Sequence, residues 1–138
     1  MKAILSITLV LNCLLFFSQQ KTSLDEISLI AKVEKIDSLK YTYVIHIKHN
    51  SKKGIFTVEK LCEDKKNYNY KLSVNKSYLF RLKKRLYVAG NLPKESVEHE
   101  YVDDKLIWSS KTGVIFYENC LNMCGLKIDN EGRLKECK

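Results

Sequence analysis

Proline is nearly absent from this 138-residue chain, Pro93 being the single one. Glycine numbers five, and no glycine-serine linker, internal repeat or low-complexity tract breaks the sequence. A chain without such punctuation gives no argument for a second domain. Catalytic signatures are missing too. There is no HExxH, no glycine-rich phosphate loop and no Ser-His-Asp order, and the adjacent carboxylates Asp103 and Asp104 sit in an otherwise polar stretch. Zinc needs paired, short-spaced ligands such as two CxxC units. The chain offers one CxxxC, Cys120 to Cys124, with Cys62 and Cys137 remote from it. A thiol-redox site wants CxxC at a helix N-terminus in a βαβ unit, and neither the spacing nor the pattern is here. No enzyme activity, no metal and no cofactor is therefore expected.

Long apolar runs are confined to the beginning. After Met1-Lys2, "AILSITLVLNCLLFF" (3–17) is interrupted only by Ser6, Thr8 and Asn12 before "SQQKTS" turns polar. One positive residue, a short apolar core and a polar exit form the layout of a secretory signal peptide. The core is short for a membrane span, which needs ~20 apolar residues. Cleavage is expected after Ser18, Gln19 or Gln20, so residues 1–20 read as a signal peptide and 21–138 as one domain. Cys13 lies inside the apolar run rather than closing it, which disfavours lipidation and removes this cysteine with the leader. The remaining chain is then secreted, or periplasmic or held in the cell envelope, with no stable membrane span.

The full chain carries a net charge of +8, of which Lys2 is the leader's only contribution, leaving +7. This surplus favours acidic partners, such as an acidic protein or an anionic glycan.

β-Branched and aromatic residues recur in short bursts: "ISLIAKVEKI" (27–36), "YTYVIHIK" (41–48), "IFTVEKL" (55–61), "SYLFRL" (77–82), "RLYVA" (85–89) and "GVIFY" (113–117). Their length and composition predict strands. In "YVIHIK", Tyr43, Ile45 and Ile47 point one way and Val44, His46 and Lys48 the other, so one face is core and one is wet. "HNSKKG" (49–54) reads as a hairpin turn. Residues 92–111, with Pro93 followed by acidic residues and Val97, Tyr101 and Val102 at near-helical spacing, predict a short helix or a long ordered loop. Five or six strands with one brief helix make a mainly β fold, a small closed or partly closed barrel.

The stretch "LSVNKSYLFRLKKRLYVAGNL" (72–92) resembles the middle of netrin-like, or tissue-inhibitor-of-metalloproteinase-like, domains. "ISLIAKVEKIDSLKYTYVIHIK" is similar to their opening strands, and "YENCLNMCGLKI" to their later cysteine-bearing segment. The resemblance covers residues 27–128 and implies an OB-like barrel acting as a binding or interaction module. That inhibitor family chelates its target's metal through a cysteine at the mature N-terminus. Here that end is Gln19, Gln20 or Lys21, so the mechanism does not carry over.

Export places Cys62, Cys120, Cys124 and Cys137 where thiols oxidise, and their even number predicts two disulfides. If residues 118–124 form a helical turn, Cys120 and Cys124 stack without good bridging geometry. Cys62 then pairs with Cys120 or Cys124, and Cys137 with the other. The rival reading is copper handling or thiol redox by Cys120, Met123 and Cys124, soft ligands needing a third partner such as His46, His49 or His99. His46 and His49 are three apart on a strand and face opposite ways.

The clearest candidate binding feature is "YLFRLKKRLYV" (78–88), in which Arg81, Lys83, Lys84 and Arg85 lie among Tyr78, Phe80 and Tyr87. Cations can neutralise phosphate or sulfate while rings stack on bases or sugars. Alternation sets Tyr78, Phe80 and Leu82 on one face, which equally predicts core.

Overall fold

The computed structural model describes residues 25–63, 67–85 and 96–134. Residues 1–20, expected to be a leader, the expected strand at 85–89 beyond Arg85, Tyr87 included, and Cys137 lie outside the described residues. The strands are β1 (Glu26–Ser38), β2 (Thr42–His49), β3 (Lys52–Glu59), β4 (Tyr68–Lys71) and β5 (Ser77–Lys84). They are followed by β6 (His99–Val102), β7 (Lys105–Ser109), β8 (Ile115–Cys120), β9 (Met123–Cys124) and β10 (Lys127–Asp129). Among the described residues, no helix is long and apolar enough to cross a membrane.

Five strands close an OB-like barrel in the order β1-β2-β3-β8-β5, with β5 returning to β1. The long β1 makes closure possible by serving two neighbours. Glu26–Lys32 pair with β5, and Lys32–Ser38 pair with β2. A bulge between Val33 and Lys35 bends the strand where it changes partner. All barrel pairings are antiparallel except β3 with β8, where Gly54 faces Ile115 and Ile55 faces Phe116. Gly54 permits this close approach: a Cβ there would lie 2.8 Å from Tyr117 Cε2.

Inward side chains follow the two-residue period, so Val33, Ile45, Ile47, Phe56, Phe80 and Leu82 fill the barrel. Phe56 and Phe80 meet edge to face at 5.4 Å. A smaller apolar cluster lies outside the barrel wall, where Trp108 and Phe116 cover Val44 and Ile55.

Trp108 belongs to a β6–β7 hairpin that stands where a helix or loop is predicted. The reason is local: Asp103 and Asp104 both take positive φ (49° and 62°), making a two-residue turn that pairs Val102 with Lys105. The helical content nearby is a single 3-10 turn at Ser110–Thr112. Likewise the 49–54 turn shrinks to Asn50-Ser51, with Asn50 at φ 54° and both lysines already in β3. The predicted helical turn at 118–124 is the end of β8, a turn and β9, with Gly125 at φ 56° before β10.

One buried polar side chain joins these parts. Asn122 Oδ1 accepts the Arg81 N–H at 3.0 Å, and its Nδ2 donates to the Leu79 carbonyl at 2.9 Å. This amide continues the β5 ladder between its pairing with β8 and the Leu79 N–H bond to the Gly132 carbonyl.

Candidate functional site

The predicted basic segment does not act as one patch. Tyr78, Phe80 and Leu82 are buried in the core, so no ring among them is offered to a ligand. Arg81 points outward, 3.8 Å from Glu26, and Lys83 and Lys84 are exposed. Arg85 is largely neutralised. Its guanidinium donates to Glu100 at 2.6 Å and lies 3.9 Å from both Glu98 and Glu118, over the Phe116 ring. The Glu100 hydrogen bond, with the two further carboxylates, raises its pKa above the ordinary arginine value.

A different basic constellation forms across β1, β2 and β3. Lys32 stands opposite Lys48, and Lys48 stands opposite Lys53. Each is exposed because its neighbours Val33, Ile47 and Gly54 face inward. Three lysines thus lie side by side on strands about 4.8 Å apart. Like charges directly opposite each other destabilise a sheet. No carboxylate among the described residues forms an ion pair with any of the three. Alternation in "YVIHIK" and the two-residue turn set the Lys48–Lys53 half of this row. The Lys32 half depends on the β1 bulge, which carries no sequence signal.

Below the row, Asp37 accepts from Lys35 at 2.8 Å and meets His46 Nε2 at 2.9 Å. Lys35 chiefly, with His46, holds the Asp37 carboxyl below its usual range. His49 Nδ1 donates to the Ile30 carbonyl at 2.6 Å. His46 and His49 are therefore structural partners of β1, whereas His99 is exposed at the start of β6. No cluster of three or more His, Cys, Asp or Glu suited to a metal occurs among the described residues.

The barrel mouth beside the β3–β8 seam opens as a cleft of about 920 Å³. Ile27, Leu29, Ile47 and Tyr117 form its floor, and Trp108 and Phe116 form one wall. His49, Lys52, Lys53, Lys84 and Arg85 stand around it, and no carboxylate among the described residues lines it.

The cysteines resolve as one disulfide and one thiol. Cys62 bonds to Cys124 with Cα atoms 5.7 Å apart, tying the exit of β3 to β9. Cys120 departs from the expected bridging: it is a free, buried thiol, and burial pushes its pKa up to about 12. It donates to Asn122 Oδ1 at 3.3 Å. The expected partner Cys137 lies outside the described residues. Cys120 and Cys124 are not a dithiol, because Cys124 is spent in the disulfide, and Met123 is buried between them in sequence.

No family model, curated protein or solved structure matches the chain.

Proposed function

We propose that this protein is an exported binding module that holds an anionic polymer, such as a sulfated glycan, across the Lys32–Lys48–Lys53 row. The observation that carries this reading is the row itself: three unpaired, exposed ammonium groups in register on a rigid sheet. Regularly spaced anionic groups laid across the strands would relieve the repulsion between them and release counterions. Export is supported by the apolar leader and by the Cys62–Cys124 disulfide. A binding role without catalysis accords with the resemblance to netrin-like domains. Lys83 and Lys84 extend the positive field but lie on the other side of β1.

The test is salt elution from immobilised heparin. A Lys32→Ala/Lys48→Ala/Lys53→Ala protein should elute at clearly lower salt than wild type, with a shallower dependence of affinity on salt. A control triple variant at the exposed Lys71, Lys76 and Lys111 removes the same charge and should elute close to wild type. Equal shifts for both variants would leave only non-specific attraction and end the proposal.

A further inference from the structure

Beyond the lysine row, we infer that the barrel mouth is a separate site for a single-chain organic anion, an alkyl carboxylate or phosphate taken up as a free monomer. The cleft joins two chemistries that such a molecule combines. Its floor is the apolar lower end of the barrel interior, at Ile27, Leu29 and Tyr117. At its edge stand two large apolar residues in water, Ile30 at 51% exposure and Ile115 at 40%. Both line the cleft, so they extend the apolar floor outward instead of being scattered surface residues.

The charged rim is of one sign. Lys52 and Lys84 come from β3 and β5, on either side of the opening, and no carboxylate among the described residues lines the cleft with them. Arg85 also lines it, but Glu98, Glu100 and Glu118 already surround that guanidinium. The free positive charge for a head group is therefore Lys52 and Lys84, with Lys53 of the lysine row standing at the shared rim. A cleft of about 920 Å³ is the size of a small-molecule site, and it is concave, where a bilayer surface would need a protruding patch. Apolar walls with a few convergent cations select a molecule with an apolar body and one acidic end.

Trp108 makes the test direct, because it is the only tryptophan in the chain and it forms a wall of the cleft. The protein is titrated with octanoate, decanoate, dodecanoate and dodecyl phosphate below their micellar concentrations, with dodecanol as the neutral control, and Trp108 emission is followed. Saturable emission shifts are expected, with affinity rising about fourfold per added CH₂ that reaches the apolar floor. Lys52→Ala/Lys84→Ala should weaken dodecanoate at least tenfold while leaving dodecanol unchanged. Ile115→Ser should weaken both; this residue is exposed, and thermal melts confirm that the variant folds. Equal binding of dodecanol and dodecanoate by wild type would overturn the proposal. So would a response confined to phosphatidylglycerol vesicles. Lys53 belongs to both the row and the cleft rim. The two sites are therefore told apart by Lys52→Ala/Lys84→Ala and Ile115→Ser, which leave the row intact, and by Lys32→Ala/Lys48→Ala, which removes row charges that do not line the cleft.

Discussion

Gly54 of β3 lies against the ring of Tyr117 in β8, with no room for a side chain between them. This contact sits at the only parallel seam in the barrel, where the two strands exchange just two residue pairs. A methyl group at position 54 must displace an aromatic ring that is itself buried. Gly54→Ala should therefore destabilise the protein by about 1–3 kcal/mol through overpacking, read from its urea midpoint. Because Gly54 and Tyr117 both line the mouth cleft, the same variant should alter Trp108 emission.

The buried Asn122 side chain satisfies a part-buried N–H and a part-buried carbonyl of β5 at once. Asn122→Ala leaves both groups without a partner, at about 1–3 kcal/mol each. A loss of about 2–5 kcal/mol is expected, measurable by denaturant unfolding. Asn122→Asp should be no rescue, since a carboxylate cannot donate to the Leu79 carbonyl. A variant as stable as wild type would mean that this ladder is not formed in solution.

Cys120 gives a pH signature. Its folded pKa, about 12, lies above the thiol's ordinary value of 9.0, so the neutral form is the one that the fold accommodates. The associated stability is fully present below pH 9 and is lost as pH rises from there towards 12. Thermal stability should fall across that window in wild type and fall less in Cys120→Ala. Peptide mapping after iodoacetamide treatment at pH 8 should find Cys120 unmodified in the folded protein and modified in urea. By contrast, Cys62→Ser should cost about 4 kcal/mol, because it frees a closed loop with a sequence separation of 62 between its cysteines.

Arg85 holds the β6–β7 hairpin to the barrel by bridging Glu98 and Glu100 to Glu118 of β8. Removing it leaves three carboxylates facing one another, one of them with Glu98 Oε2 buried and lacking a hydrogen bond. Arg85→Ala should speed hydrogen exchange in His99–Ser109 by tenfold or more while leaving β2 and β3 protected. Arg85→Lys should recover part of this protection, since the charge returns without the planar fork. Uniform exchange in both variants and wild type would show that the hairpin is held by Trp108 packing alone.

The strands within 27–36, 41–48, 55–61, 77–82 and 113–117 and the burial of Tyr78 and Phe80 follow from alternation, which is a property of neighbouring residues. The outer face of β2, expected to be wet, instead buries Val44 beneath Trp108 and Phe116. The Asp103-Asp104 turn was equally local, and helical spacing of Val97, Tyr101 and Val102 masked it. The choice of Cys124 over Cys120 for the bond to Cys62 was not local. It follows from β8 continuing as a strand, which brings β9 to the end of β3 and leaves Cys120 facing the core.

By itself the sequence determined a basic, strand-rich fold and an apolar run over residues 3–17, because composition and two-residue periodicity act at short range. Tertiary structure alone decided which strands meet. The β1 bulge sets the register that brings Lys32 opposite Lys48, completing the row that the β2–β3 hairpin begins, and the β3–β8 seam at Gly54 and Tyr117 lies beside the mouth edged by Ile30 and Ile115. Cross-strand register depends on bends and closures far apart in the chain, so the basic row emerged on β1–β3 and not on the segment where the cations are densest in sequence.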